Sequence, residues 1–255
     1  MCHPEDVDKP VPGVAREEVG ISLASGERLP GSCCRPERGR GPGILLISDI
    51  YGRTPFYQHL AERLAGAGYV ALLPDMFFRL GPLPEVTRDA AFARWDRLDE
   101  HQALSDLESA IGWLRQHADS RTSTVGQLGF CLGGTFALDL CARLDDLATV
   151  CYYAFPKSRS GPNQAPRPID IVNAIQGPIL SFWGDADYID LDEVREFSDE
   201  VRAHGISYGD EIYPGAGHGF LSGLIEDSDN TGAATDSWSK TLDFYAAHLT
   251  GARVS

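Results

Sequence analysis

The hexapeptide Gly129-Phe130-Cys131-Leu132-Gly133-Gly134 constrains this chain more than any other stretch of it. The residues before it, 124–130, form an apolar run of strand length, and residues 132–144 after it read as a helix. A residue on so sharp a strand-to-helix turn is forced into a strained backbone conformation. Glycines two positions to either side let neighbouring segments pass close by. The turn also sets Cys131 at the first turn of the helix, where unpaired amides and the positive dipole end favour a thiolate or a developing oxyanion. An isolated cysteine is ordinarily an inert core residue. In this strand–turn–helix context Cys131 is the expected nucleophile.

The rest of the chain alternates in the same way. Segments 18–23 and 28–34, joined by Ala24-Ser25-Gly26-Glu27, predict a hairpin. Strands are expected over 43–48, 69–73 (stopped by Pro74), 148–153, 178–183 and 207–213. Helices are expected over 54–67, with Phe56, Leu60 and Leu64 on one stripe, and over 101–117, with Leu104, Leu107, Ile111 and Leu114 on one face. Two more follow over 191–204 and 233–249. Residues 76–97, rich in Pro and Arg, read as an irregular excursion over the sheet edge, and 155–168 as a loop. Strand–helix alternation implies an α/β domain with a mostly parallel, doubly wound sheet, helices on both faces and an antiparallel hairpin at the start. We expect one domain over 1–255, with 1–16 as an N-terminal extension.

Two further residue types complete a candidate site. His218 lies in the glycine-rich segment Pro214-Gly215-Ala216-Gly217-His218-Gly219-Phe220, between the last strand and the last helix. Such a loop can carry an imidazole over the C-terminal ends of the strands, where open α/β sheets place their sites. The other six histidines fall in helical or terminal segments. The acid should follow the strand over 178–183, where Gly184-Asp185-Ala186-Asp187-Tyr188-Ile189-Asp190 offers three aspartates. Asp185 could brace the turn and Asp190 could cap the next helix, so order along the chain leaves the choice open.

Composition limits the partners. With 37 acidic against 22 basic side chains and a formal charge of −15, the chain has no basic excess with which to hold nucleic acid or an anionic membrane. No apolar run approaches membrane-spanning length, and the first residues lack the pattern of a secretory signal. The six cysteines form no paired zinc spacing and are too sparse for a disulfide scaffold, which points to a reducing cytoplasm. Cys33 and Cys34 are neighbours in a strand and should face opposite ways.

Over about residues 18–249 the chain resembles the dienelactone hydrolases, or carboxymethylenebutenolidases, a branch of the α/β-hydrolase fold with a Cys-Asp-His triad. The resemblance rests on the cysteine elbow and on Ile47-Ser48-Asp49-Ile50-Tyr51-Gly52. It rests further on Pro74-Asp75-Met76-Phe77-Phe78-Arg79 and on Gly217-His218-Gly219-Phe220. It implies that Asp187, at the fourth place of its G-x-x-D turn, is the acid, and that the Leu132 and Ile50 amides form the oxyanion hole. It implies that Asp49 stands where the family has a glutamate that interacts with the resting thiol, one methylene shorter here. Of the arginine pair that grips a substrate carboxylate, Arg79 matches one member, whereas Ser222 stands at the other. Residues 156–171 form a longer stretch than their counterpart. These departures point to a substrate other than dienelactone itself. Tyr51, Tyr153 and Gly219 are expected near the substrate, and Tyr51, Trp95, Tyr153 and Phe220 could equally be pocket lining or core.

The expected reaction is hydrolysis of an ester or lactone through an acyl-enzyme on Cys131, with His218 as base and Asp187 orienting it. It needs no metal or organic cofactor, and its partner is a small-molecule ester or lactone handled by a monomer or homodimer. An acyltransferase or cyclase on the same scaffold, or a ligand-binding protein without catalysis, are the alternatives.

Overall fold

The computed structural model describes residues 7, 10–37, 40–118, 123–226 and 228–249. Cys2, His3 and part of the expected N-terminal extension lie outside these residues. One eight-stranded sheet organises the chain, in the order β1-β2-β4-β3-β5-β6-β7-β8. The strands are β1 (Val14–Ser22), β2 (Arg28–Pro36), β3 (Gly43–Ile47), β4 (Val70–Pro74), β5 (Val125–Phe130), β6 (Leu147–Tyr152), β7 (Ile179–Gly184) and β8 (Tyr208–Tyr213). β1 and β2 form the antiparallel hairpin, and β2 also runs antiparallel to β4. Every other pairing is parallel. β1 starts four residues ahead of the expected position, because Val14 pairs with Pro36 and prolongs the ladder along an edge. Arg16, Glu17 and Glu18 stay exposed there and give the extension no apolar signal.

The helices are α1 (Pro55–Gly66), α2 (Arg88–Trp95), α3 (Glu100–His117), α4 (Leu132–Cys141), α5 (Leu191–Ala203) and α6 (Thr231–Leu249). They cover both faces. Leu104, Leu107, Ile111 and Leu114 of α3 and Phe136 and Leu140 of α4 build the core on one side. Phe56, Leu60 and Leu64 of α1 join Trp238 and Tyr245 of α6 on the other. Cys33 and Cys34 belong to these two opposite cores, as strand alternation requires. β3, β5 and β6 are buried along their whole length, which is why they read as continuous apolar runs.

The excursion over 76–97 is not irregular throughout. Thr87 accepts the Ala90 N–H at 3.3 Å and opens α2, whose eight residues bury only Ala91, Arg94 and Trp95. A helix this short, with a buried arginine on its inner side, leaves no periodic apolar stripe to detect. The long segment after β6 lies against the junction of α2 and α3. Arg159 pairs with Asp96 and stacks over Trp95 at 3.8 Å. Glu100 accepts the Ala165 amide at 2.8 Å and the Trp95 indole N–H at 2.7 Å. Residues Pro168–Ala174 then form a 3-10 turn.

Candidate active site

The C-terminal ends of β3, β5, β7 and β8 bring the expected residues to one edge of the sheet. Cys131 adopts φ 56°, ψ −118° between β5 and α4 and is 7% exposed. That conformation is costly for a side chain with a Cβ and persists because the surroundings fix it. The Cys131 N–H donates to the Tyr152 carbonyl at 3.0 Å, and its own carbonyl accepts from Thr135 at 3.1 Å. The flanking glycines are required by contact. A Cβ on Gly129 would lie 2.2 Å from the Gly133 carbonyl oxygen. One on Gly133 would lie 2.3 Å from the carbonyl oxygens of both Ile47 and Ser48. The same approach sets the first turn of α4, with its Leu132 amide, against the exit of β3 that carries Asp49 and Ile50.

The three aspartates after β7 have three different partners. Asp185 accepts the Gly215 amide at 2.6 Å and braces the β8 turn. Asp190 accepts the Asp192 amide at 2.9 Å and caps α5. Asp187 meets His218: Nδ1 lies 2.9 Å from Oδ2 and 3.1 Å from Oδ1, with both side chains almost fully buried. The Ile189 amide donates to Asp187 Oδ1 at 3.2 Å and fixes that carboxylate from behind. With Nδ1 occupied, Nε2 is the ring nitrogen left for chemistry.

Rings surround the imidazole. The Tyr188, Tyr153 and Phe155 centroids lie 4.6, 4.8 and 5.8 Å from that of His218. Tyr153 is fully buried with φ 42°, whereas Tyr188 is 58% exposed and forms an outer wall. Phe220 packs on Tyr153 at 5.7 Å. Gly219 takes φ 79° to start a 3-10 turn, in which Ser222 is buried and its amide donates to the Gly219 carbonyl at 3.0 Å.

At the β3 exit the Asp49 carbonyl accepts the Gly52 N–H at 3.0 Å, and Asp49 Oδ1 accepts the Tyr51 N–H at 2.8 Å. The buried Tyr57 of α1 donates its hydroxyl to Asp49. Burial first, then the charge of Asp49, push the Tyr57 phenol well above its ordinary range, and Tyr153 and Cys131 add to the shift. Arg94 reaches this loop from α2. It is 8% exposed and donates to the Ile50 carbonyl at 2.9 Å and the Gly81 carbonyl at 3.3 Å, with its guanidinium 4.1 Å above the Phe77 ring.

Arg79, expected to face a substrate carboxylate, is held between Glu27 and the buried Asp106. Trp95, an expected pocket candidate, lies under Arg159 with its indole N–H on Glu100. Tyr57, Arg94, Phe155 and Tyr188 had no place in the sequence reading. Only Arg94 had a local signal, the Thr87 cap ahead of an alanine-containing run.

The model of the dienelactone hydrolase family matches residues 29–249. This chain belongs to the dienelactone hydrolase family. A carboxymethylenebutenolidase of Rhodococcus opacus is 38% identical to it, with 98% of each chain covered. Carboxymethylenebutenolidase 2 of Cupriavidus pinatubonensis is 35% identical over 79% of this chain and 82% of its own. A solved Klebsiella pneumoniae chain named for the dienelactone hydrolases superposes with a TM-score of 0.84 at 26% identity, covering 91% of this chain and 98% of that one. The α/β-hydrolase fold and the class of carboxylic ester hydrolases follow. No helix among the described residues is long and apolar enough to cross a membrane.

Proposed function

We propose that the chain hydrolyses an ester or lactone through a thioester on Cys131. The observation that supports this best is the buried Asp187–His218 pair, set at the same sheet edge as a cysteine on a strained elbow. His218 Nε2 takes the thiol proton as Cys131 Sγ attacks the carbonyl carbon. The Leu132 and Ile50 amides receive the oxyanion, and the protonated imidazole then returns its proton to the leaving oxygen. In the second half His218 draws a proton from water as its oxygen attacks the thioester. Collapse expels the Cys131 thiolate, which takes that proton back from His218, and the product departs as the carboxylic acid and ionises in solvent. Asp187 holds the ring in one tautomer and stabilises its cationic form.

The names of the Rhodococcus and Cupriavidus relatives supply the substrate class, a butenolide-type lactone. Arg79 is neutralised by two carboxylates, and Ser222 stands where a second arginine would be needed. Recognition by charge is therefore weak, and the rings around His218 favour a flat, neutral or weakly charged acyl group. The reading takes 1–255 as one domain working without metal or organic cofactor, as a monomer or homodimer in the cytoplasm.

A panel of aryl esters, neutral lactones and dienelactone tests this. Cys131→Ala should abolish turnover of all of them, and full activity in that variant would refute the mechanism. Asp187→Asn should lower kcat on the order of 10³–10⁴-fold, while Asp185→Asn should keep the wild-type rate.

A further inference from the structure

Arg94 is an expensive residue to bury. Among the described residues, both of its hydrogen bonds go to backbone carbonyls, of Ile50 and Gly81, and its Nε is buried without a partner. A guanidinium in an apolar setting ordinarily sits against a carboxylate. This one is spread over the Phe77 ring and bridges the carbonyls of two loops, while the Asp75 and Asp49 charges act on it without a hydrogen bond.

The Ile50 loop explains the arrangement. Ile50 lies between two peptide planes, and each is fixed. In the first, the Asp49 carbonyl accepts the Gly52 N–H at 3.0 Å. The Ile50 N–H of that plane is trans to the carbonyl and so points away from the turn. In the second, the Tyr51 N–H is taken by Asp49 Oδ1 at 2.8 Å and the Ile50 carbonyl by Arg94 at 2.9 Å. Gly52, at φ 78°, lets the guanidinium come this close, since a Cβ there would stand 3.2 Å from Arg94 Nη2. Removing Arg94 would leave the second plane attached at one end only.

We propose that Arg94 is a positioning residue for the oxyanion hole: by holding the Ile50–Tyr51 peptide it fixes the backbone at Ile50, and with it the orientation of the adjoining Asp49–Ile50 peptide whose N–H faces the reacting carbonyl. This rests on the reading of Ile50 as an oxyanion donor. The cation hydrogen-bonds the same residue whose N–H would meet the oxyanion, so its charge would favour the developing negative charge. Its contribution belongs to the transition state, because the ground-state carbonyl carries little charge.

The test uses Arg94→Met and Arg94→Lys in the full chain, assayed on a neutral aryl ester beside the rate of Cys131 alkylation by iodoacetamide. Alkylation forms no oxyanion, so it reports the thiol alone. Arg94→Met should lower kcat by about 10- to 100-fold with KM within about threefold and alkylation unchanged. Arg94→Lys, whose single ammonium cannot fork to both carbonyls, should lose several-fold in kcat with the same split. Added guanidinium should restore part of the kcat of Arg94→Met, which a merely structural loss would not allow. The proposal is overturned if either folded variant keeps the wild-type kcat. It is equally overturned if the loss lies in KM, if alkylation slows in parallel, or if guanidinium restores nothing. If Arg94→Met does not fold, the kcat and alkylation of Arg94→Lys decide. Failure of the parent reading looks different, since Cys131→Ala would then keep its activity whatever the Arg94 variants do.

Discussion

Two strand exits meet beside Cys131, and they are held by different means. The β5 exit is fixed by backbone against backbone. Gly129 touches Gly133, Gly133 touches the carbonyls of Ile47 and Ser48, and the main chain of Cys131 is tied to Tyr152 and Thr135. The β3 exit shares the Gly133 contact and has one backbone bond of its own, Gly52 N–H to the Asp49 carbonyl. Beyond these it is held by side chains, through the Asp49 carboxylate, the Tyr57 hydroxyl from α1 and the Arg94 guanidinium from α2. Close backbone contact leaves almost no room for variation, so its sequence requirement is strict and local. A side-chain bracket can be assembled from distant residues in several ways. One exit should therefore fail by misfolding and the other by misalignment.

The largest effect tests the first half of that contrast. Gly133→Ala places a methyl group 2.3 Å from two carbonyl oxygens, neither of which belongs to a movable side chain. The variant should lose more than about 4 kcal/mol and be recovered unfolded or insoluble. A soluble Gly133→Ala protein with a wild-type urea midpoint would mean that the elbow has slack, and that the contrast between the two exits is overstated.

The next effect addresses the β3 exit. Asp49→Ala removes the acceptor of the Tyr51 amide and the partner of the Tyr57 hydroxyl, and should lower kcat about 10- to 100-fold in a folded protein. Asp49→Asn keeps an oxygen at the same reach and should stay within about threefold of wild type. The pair also separates two roles for this residue. If Asp49 acts chiefly as an anion toward the thiol, the asparagine variant falls as far as the alanine variant. A pH–rate profile of the two would then show the same displacement.

What could be read in advance follows the same division. The stripes of α1 and α3, the buried runs of β3, β5 and β6 and the glycines around Cys131 are local patterns set by period or by close contact, and they were legible. The choice among Asp185, Asp187 and Asp190 was not, because each occupies a plausible turn position. It came from the family pattern, and the three different hydrogen-bond partners now distinguish them. Arg94, which offers only the Thr87 cap as a local signal, and Tyr57 and Tyr188, which offer none, escape for a different reason. Each reaches the site from an element whose own sequence looks ordinary: an eight-residue helix, the inner stripe of α1 and an exposed loop position. Arg79 illustrates the converse. Its motif marks the position, while Asp106, 27 residues further on, and Glu27 in the hairpin pair with its guanidinium.

The smallest effect distinguishes the exits by pH. α4, the elbow helix, is buried along its whole length and includes Asp139, neither of whose carboxylate oxygens has a hydrogen-bond partner among the described residues. Burial raises its pKa to about 8, Arg143 opposing and Glu100 adding to the shift. In the unfolded chain the same carboxyl titrates near 3.8. The folded state therefore holds the proton more tightly, and the stabilising contribution of this group is complete below the unfolded value. It declines as pH rises toward 8 and stays lost above that. Asp139→Asn removes the titration while keeping the shape. Its melting temperature should overtake that of wild type with rising pH, by about 3 °C or more at pH 9 relative to pH 5. Parallel curves for wild type and Asp139→Asn would show that the elbow helix opens enough to hydrate this carboxylate. The rigid exit would then be the more compliant of the two at alkaline pH.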